Sequence, residues 1–280
     1  MPVASQTPPG RPFIKMHGLR NHFVIVDART VPYRPDVETI VRICDQQVGV
    51  GADQLVVLEP PQAASADVFM RLFNVDGREV GACGNATRCV AWMLLEERDA
   101  DSVAVETLAG VLDCDRAGDK RVTCDMGVLR THWRDIPLAD DRAPGTVNLG
   151  GLEGGFVVNV GNPHVVFFVE DVDSVDLARI GPEIQSDSLF PESVNVGVAQ
   201  RIGDGLRLRV FERGAGLTMA CGSGACAAAF AARTQGIVDA DSIAIELPGG
   251  EVVIRLDDRG DDGVHALMTG PVAWSFRGEI

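Results

Sequence analysis

Two thirteen-residue stretches, FNVDGREVGACGN at residues 73–85 and FERGAGLTMACGS at residues 211–223, share one layout. Each begins with phenylalanine, and each has a polar residue nine positions before a Cys-Gly pair. In both stretches the pair leads into a small, apolar segment that is typical of a buried helix. The chain therefore carries two matched cysteines, Cys83 and Cys221, at the starts of two matched helices.

The two stretches belong to a longer repeat, because further features recur in the same order at an offset of 138 to 141 positions. A period of this length is far too long for a solenoid, so it indicates that a whole domain is duplicated. The matched features are Asn21 with Asn162, Gln54 with Asn195, Cys83 with Cys221, and residues 106–110 with residues 246–250.

Short alternating or β-branched segments dominate the chain and predict strands. They cover residues 23–26, 54–58, 68–73, 103–106, 157–160, 206–211, 243–247 and 252–256. Apolar periodicity predicts helices over residues 37–47, 86–94, 175–185 and 225–232. We predict an α/β (α+β) fold of two pseudo-symmetric lobes, each a curved mixed β-sheet or barrel around a central helix.

The repeat also suggests where the lobes divide. We expect residues 1–11 to form a flexible tail, because they are rich in Pro, Ser, Thr and Gln. Residues 12–128 would form the N-terminal lobe and residues 129–269 the C-terminal lobe. The last strand, within residues 270–280, would return to the N-terminal lobe.

Composition excludes several classes of function. The net charge of −15 argues against nucleic acid or an anionic membrane as a partner. No apolar run approaches the roughly 18 residues that span a bilayer. The N-terminus lacks the apolar segment of an export signal, so we expect a cytoplasmic protein. Seven cysteines without an export signal predict free thiols, not a disulfide framework.

The duplicated thiols suit proton transfer at a carbon atom. A helix start offers free N–H groups and partial positive charge, which favour a carboxylate and lower the pKa of a cysteine. Gly84 and Gly222 allow close backbone approach, and Asn85 and Ser223 are residue types that favour N-caps. One thiolate would remove a proton and the opposite thiol would return one on the other face. We expect no cofactor, because no lysine or glycine-rich loop forms a cofactor motif.

Other interpretations of these cysteines are weaker. A Cys-Gly pair before a helix is often only a turn and a cap, but its duplication in register favours function. The cysteine spacings do not match zinc-binding patterns, so no metal site is predicted. Cys83 and Cys221 would also be able to oxidise together if they face each other. His164 and Glu212 are stronger candidates for a functional role, because both lie in the repeat.

The chain resembles the diaminopimelate epimerase family from Phe13 to its C-terminus. The motifs that carry the resemblance are KMHGL at residues 15–19, Asn21, GADQL at 51–55, FN at 73–74, CGN at 83–85, GNPH at 161–164, VN at 194–195, ERG at 212–214 and ACGSGA at 220–225. The family usually has Gly-Asn-Asp where this chain has Arg20-Asn21-His22, and Glu where it has Leu217.

The resemblance implies a cofactor-independent enzyme that interconverts LL- and meso-diaminopimelate, with Cys83 and Cys221 as the two acid/base residues. It implies that backbone at Gly84, Asn85, Gly222 and Ser223 holds the reacting carboxylate. The residues implied for the distal end of the substrate are Asn21, Asn74, Asn162, Asn195, Glu212 and Arg213, with Gln54 lining the site. It further implies that His164 and Glu212 tune the thiols, that the enzyme is a homodimer, and that it serves lysine and cell-wall precursor synthesis.

Two alternatives stay open at this stage. A racemase of the proline racemase type would have the same duplicated fold, and a substrate panel would distinguish it. A non-catalytic protein that binds amino acids or senses redox state would bind without exchanging the α-proton.

Overall fold

The computed structural model describes residues 10–280, so the predicted tail lies outside the described residues except for Gly10 and Arg11. The first half of the chain contains β1 (Pro12–Gly18), β2 (Asn21–Asp27), α1 (Val37–Cys44), β3 (Gln54–Glu59), β4 (Val68–Asn74), β5 (Glu79–Val80), α2 (Gly84–Arg98), β6 (Ser102–Thr107), β7 (Gly110–Arg116) and β8 (Arg121–Val128).

The second half has the same order of elements after one additional strand. It contains β9 (Val147–Leu149), β10 (Leu152–Asn159), β11 (Pro163–Phe168), a 3₁₀ turn (Val172–Ser174), α3 (Leu177–Gln185), β12 (Asn195–Ile202), β13 (Gly205–Glu212), β14 (Gly216–Leu217), α4 (Gly222–Thr234), β15 (Ser242–Leu247), β16 (Gly250–Asp258), a 3₁₀ turn (Gly260–Asp262), β17 (Val264–Pro271) and β18 (Ala273–Glu279).

The strand pairing repeats with the element order. β2 pairs with β3 in parallel, with Phe23 opposite Gln54, and β11 pairs with β12 in parallel, with His164 opposite Asn195. β4 and β6 form the second parallel pair of the first half, as β13 and β15 do in the second. The predicted fold class and its duplication are confirmed by this equivalence.

Two pairings join strands of the two halves into one sheet. β8 and β17, the equivalent last strands of the two repeats, pair in antiparallel fashion. Thr123 and Thr269 add a hydroxyl hydrogen bond of 2.7 Å across this pair. β18 pairs with β1 of the first half, and Arg11 and Ile280 exchange backbone hydrogen bonds beside it. The lobe boundaries given above stay a prediction.

Each half is organised around its long helix. α2 lies in a core formed with strands of the first half, and α4 lies in a core formed with strands of the second half. The alanines of α4, such as Ala227 and Ala229, are fully buried. Their small side chains let the surrounding strands approach the helix backbone on every side. α2 is wrapped in the same way, so even Arg88 on this helix is fully buried.

The helix ends differ from the prediction where side chains compete for backbone groups. The helix predicted over residues 37–47 ends at Cys44. The carboxylate of the next residue, Asp45, accepts hydrogen bonds from the backbone N–H groups of Gln47 and Val48. An aspartate that binds the backbone two residues later favours a turn over a further helical turn.

None of the helices in residues 10–280 has the length and apolarity required to cross a membrane.

The turn between β15 and β16 contacts the first half of the chain and supports a stability prediction. A methyl group on Gly249 would lie 2.1 Å from the carbonyl oxygen of Leu19 and 2.9 Å from that of Met219. Both neighbours are backbone atoms that cannot rotate away. We therefore expect Gly249→Ala to lower the free energy of unfolding in urea by about 1–3 kcal/mol.

Gly197→Ala is the matched control for this variant. A methyl group there would meet its nearest neighbour, the Leu208 side chain, at an ordinary contact distance of 3.5 Å. Equal stability of the two variants would contradict the proposed contact between the turn of residues 248–250 and the first half.

Candidate active site

The two cysteines occupy equivalent positions as the N-caps of the central helices. Cys83 precedes α2 with φ −151°, and Cys221 precedes α4 with φ −118°. The Cys221 sulfur accepts the backbone N–H of Gly224 at 3.4 Å. The sequence suggested Asn85 and Ser223 as capping residue types, but they lie at the second position of each helix. This places the sulfur atoms, and not the amide and hydroxyl groups, at the helix starts.

The two helix starts meet on one methionine side chain. A methyl group on Gly84 would lie 2.8 Å from Met268 Cε, and one on Gly222 would lie 3.0 Å from the same atom. Asn85 Nδ2 also donates a hydrogen bond of 3.3 Å to the carbonyl oxygen of Ala220, which directly precedes Cys221. Segments 138 residues apart in the chain are therefore neighbours, as the repeat predicted.

Glu212 is the acidic group that faces both sulfur atoms. Its carboxylate accepts a short hydrogen bond from the Thr218 hydroxyl. Burial raises the pKa of Glu212, although the neighbouring Thr218 hydroxyl and Cys221 thiol oppose the shift. Its negative charge disfavours the thiolate at both Cys83 and Cys221. The charge of Glu212 therefore influences the protonation of both thiols.

The thiol pKa values differ in direction from the sequence expectation. Burial raises the pKa of Cys83 to about 11 and raises that of Cys221 well above its usual range. The expected influence of the helix starts is present, because backbone N–H groups of Ala86 and Gly224 favour the respective thiolates. Desolvation and Glu212 outweigh it, so both cysteines are protonated near neutral pH in the free site.

The polar residues of the first half form two hydrogen-bonded groups. Asn21 Nδ2 donates to Asp53 Oδ2 at 3.2 Å, and Asn21 Oδ1 lies 3.7 Å from the Cys83 sulfur. Gln54 Nε2 donates to Asn74 Oδ1 at 2.9 Å, as expected for residues that face each other on β3 and β4. Asn21 and Cys83 are therefore in contact, while Gln54 and Asn74 form a pair of their own.

The second half supplies a set centred on His164. His164 Nε2 lies 3.0 Å from both Asn162 Oδ1 and Ser223 Oγ. Ser223 Oγ lies in turn 3.7 Å from the Cys221 sulfur, so His164 reaches this thiol through the serine. Burial lowers the pKa of His164 to about 3, and the charge of Arg213 adds to the shift. The imidazole is therefore neutral at physiological pH and acts there as a hydrogen-bond partner.

Asn195 and Arg213 are connected through the backbone. Asn195 is buried, its Nδ2 donates to Pro163 O at 3.0 Å, and its Oδ1 accepts the Arg213 N–H at 2.8 Å. The exposed guanidinium of Arg213 donates to the carbonyl oxygen of Glu192 at 2.9 Å. Among the described residues, neither the Arg213 guanidinium nor the Glu212 carboxylate forms a hydrogen bond with another predicted site residue.

Three supporting residues were not selected from the sequence. Asp53 holds Asn21 and also accepts the His22 backbone N–H at 2.7 Å. Thr218 binds Glu212, and Arg88 binds Asn85 Oδ1 at 2.7 Å. Asp53 and Thr218 lie within motifs quoted above and Arg88 lies three residues after one, but the contacts of all three depend on tertiary structure.

Comparison with known proteins identifies the family of the chain. The family model described as diaminopimelate epimerase matches residues 13–131 and 156–275, one segment in each half. A diaminopimelate epimerase of Rhodospirillum centenum is 48% identical over 273 residues, covering 96% of this chain and 92% of that protein. One of Erythrobacter litoralis is 49% identical over 271 residues, covering 95% and 96%.

Among solved structures, a hydroxyproline epimerase of Agrobacterium vitis with bound trans-4-hydroxy-L-proline has the same fold, with a TM-score of 0.70. It is 16% identical, and the match covers 97% of this chain and 91% of that one. A PhzF-family phenazine biosynthesis protein of Bacillus anthracis gives a TM-score of 0.69 at 16% identity, covering 96% and 98%. At this identity the likeness shows the fold alone. The family-model match and the full-length relatives show that this chain belongs to the diaminopimelate epimerase family.

Proposed function

We propose that this chain is a cofactor-independent diaminopimelate epimerase that interconverts the LL and meso isomers with Cys83 and Cys221 as its two bases. The observation that carries the proposal is the equivalence of these cysteines. Both cap buried helices that occupy the same place in the repeat, and both helix starts pack on Met268. Opposed thiols are the arrangement that proton exchange between two faces of a carbon requires.

The helix starts suit the reacting carboxylate. The first N–H groups of α2 and α4, at Gly84, Asn85, Gly222 and Ser223, have no carbonyl partner earlier in their own helix. The partial positive charge of both helix ends favours an anion between them. Loss of the α-proton moves further negative charge onto this carboxylate, so these donors stabilise the transition state more than the ground state.

The proton transfer itself needs one thiolate and one thiol. The thiolate takes the α-proton as the electron pair of the C–H bond moves toward the carboxylate. The opposite thiol then gives its proton to the other face of the same carbon. The second isomer requires the reverse protonation states, which two equivalent cysteines can adopt.

Substrate binding can supply the missing thiolate. Glu212 contributes to the raised pKa values of both cysteines. An ammonium group of the substrate beside this carboxylate would neutralise its charge and lower both pKa values. The enzyme would then generate its base only when an amino acid occupies the site.

The distal amino-acid end would occupy the remaining polar groups. Asparagine amides supply both donors and acceptors, and a guanidinium suits a carboxylate. Gln54 would line the cavity beside this set, and His164 would orient Ser223 near Cys221. The distal ligands proposed are Asn21, Asn74, Asn162, Asn195, Glu212 and Arg213.

The resemblance extends the proposal to a cytoplasmic homodimer in lysine and cell-wall precursor synthesis. β18 exposes the aromatic side chains of Trp274 and Phe276, which are 36% and 46% accessible in the single chain. Aromatic residues are enriched at interfaces between subunits. Sedimentation equilibrium of the purified chain at the mass of a dimer would support this part of the proposal, and a monomer mass would reject it.

Proton NMR in D₂O tests the reaction directly. Reduced protein is incubated with LL-diaminopimelate, and L-proline serves as the parallel control. We expect loss of the α-proton signal and formation of the meso isomer with diaminopimelate alone. Exchange with proline alone would move the assignment to the proline racemase type. Exchange with neither substrate, from protein whose thiols titrate as free, would indicate binding without catalysis.

A further inference from the structure

Arg88 is the most unusual residue of the site region. It is fully buried on α2, and none of the acidic groups in residues 10–280 forms an ion pair with it. A buried charge without a counter-ion is costly, because desolvation is not offset by a nearby opposite charge. A guanidinium in such a place calls for an explanation beyond packing.

The guanidinium lies in a slot made by two glycines and a methionine. A methyl group on Gly18 of β1 would lie 3.3 Å from Arg88 Nη2, and one on Gly270 of β17 would lie 2.9 Å from Nε. Arg88 Nη1 lies 3.3 Å from the sulfur of Met268, the side chain on which both helix starts pack. The charged group therefore sits directly behind the two helix starts.

The strongest contact of Arg88 fixes a side chain of the site. Arg88 Nη2 donates to Asn85 Oδ1 at 2.7 Å. A guanidinium can only donate, so the oxygen of the Asn85 amide must face it. The Nδ2 group is then directed to the carbonyl oxygen of Ala220 and to Asn21 Oδ1, each at 3.3 Å. Asn85 thereby links the segment before Cys221 to the residue that contacts Cys83.

The charge of Arg88 also acts on the thiols around it. It is one of the influences that lower the pKa of Cys83, although burial dominates and the net shift is upward. It acts in the same direction on the pKa values of the buried Cys89 of α2 and Cys226 of α4, although burial dominates there too. The other charged group facing Cys83 is Glu212, whose influence is opposite.

A purely structural role would not need the charge. Apolar residues of similar volume often replace buried ionic groups without loss of stability. Without Arg88 the Asn85 oxygen would lose its donor, and the orientation of the amide would depend only on the two longer hydrogen bonds of Nδ2 to Ala220 O and Asn21 Oδ1.

We propose that Arg88 is a positioning residue for epimerisation: its guanidinium fixes the Asn85 amide that links the two cysteine segments, and its charge stabilises negative charge at the helix starts. This inference rests on the proposed function. It assigns to Arg88 no contact with the substrate.

Two variants separate the two parts of the proposal. Arg88→Lys keeps the charge but loses the planar fork, and Arg88→Met removes both at similar length. Arg209→Met is the control, because Arg209 also donates from a partly buried place to two carbonyl oxygens, those of Val172 and Val175, but on β13 away from the helix starts. The readouts are kcat and KM with LL-diaminopimelate, and the pH midpoint of Cys83 alkylation by iodoacetamide, followed by peptide mass spectrometry without substrate.

For Arg88→Met we expect the alkylation midpoint of Cys83 to rise by on the order of one pH unit. We expect kcat of both Arg88 variants to fall about 10- to 100-fold at little changed KM, since small displacements of catalytic groups have effects of this size. The midpoint of Arg88→Lys should stay close to that of the unchanged protein, and Arg209→Met should change neither quantity.

The proposal fails if folded Arg88→Met keeps the original midpoint, or if Arg88→Lys keeps the original kcat. If the methionine variant does not fold, the lysine variant still decides the positioning part, and Arg88→Gln, which keeps hydrogen-bond donors but removes the charge, decides the charge part through the same alkylation midpoint. Inactivity of the unchanged protein would reject the proposed function, while the alkylation measurement, which needs no turnover, would still test the role of the Arg88 charge.

Discussion

Replacing either Cys83 or Cys221 with alanine is expected to lower the rate of epimerisation by about 10²- to 10⁴-fold. Each variant retains one group that can exchange a proton with one face of the α-carbon, but inversion requires both faces. No nearby residue can replace the missing thiol. His164 is neutral and bonded to Asn162 and Ser223, and Glu212 is held by Thr218.

The two single variants should differ from each other in a way that only opposed bases explain. The remaining cysteine can still remove and return the α-proton on its own face. In D₂O we therefore expect each variant to exchange the α-proton of one stereoisomer without inverting it. The isomer that exchanges in Cys83→Ala should be the one that does not exchange in Cys221→Ala.

Cys89→Ala and Cys226→Ala are the matched controls for this experiment. Both cysteines lie in the same two helices and are fully buried, and burial raises the pKa of each to about 12. Their loss should lower stability slightly and leave the epimerisation rate of folded protein unchanged. The two-base assignment would be wrong if Cys83→Ala or Cys221→Ala kept full activity, or if both exchanged the same isomer.

The repeat explains how much of this arrangement could be predicted from the sequence. Matched motifs 138 to 141 residues apart require matched folds, so the two halves, their central helices and the proximity of the two helix starts followed without structural information. Several strands that pack on a core, such as β3 and β13, also had recognisable patterns, although β8 and β17, which pack on the cores too, were not predicted. β7 had no recognisable pattern, because it is largely exposed and its side chains lack a buried face.

What the sequence could not give depends on contacts between distant segments. An arginine in the middle of a helix normally faces solvent, and the fully buried position of Arg88 arises because strands surround α2 on every side. The sign of the thiol pKa shift was also inaccessible. The helix starts favour thiolates, but the depth of the site and the position of Glu212 decide the balance, and neither is encoded in local spacing.

Glu212→Gln is the variant with the next largest expected effect. Glutamine keeps the acceptor for Thr218 but removes the charge that would bind the substrate ammonium group. Removing one partner of a buried charged pair costs about 2–5 kcal/mol. This corresponds to a loss of roughly 30- to several thousand-fold in kcat/KM with LL-diaminopimelate.

The same change should lower the pKa values of both thiols, which makes them more reactive toward alkylation, although it lowers enzymatic activity. Without the Glu212 carboxylate, the pKa values of Cys83 and Cys221 lose an influence that raises them. We therefore expect both cysteines to be alkylated at lower pH than in the unchanged protein. Glu183→Gln is the control, because Glu183 is 57% exposed and pairs only with Arg179. Unmoved alkylation together with full activity would exclude Glu212 from both roles.

The pH dependence of stability provides a third, independent test of the role of the Glu212 charge. Burial raises the folded-state pKa of Glu212 above its unfolded value, so the folded protein binds more protons than the unfolded chain between these two pKa values. Stability contributed by this group is thus lost as pH rises through that window, and above it the buried carboxylate is a net cost. The glutamine side chain of Glu212→Gln does not titrate, so the variant should have a higher melting temperature than the unchanged protein at neutral pH. The two melting temperatures should become similar below about pH 4, the pKa of glutamate in the unfolded chain. A variant that is more stable, has more acidic thiols and is nevertheless nearly inactive can be explained only if the charge is retained for the reaction and not for the fold.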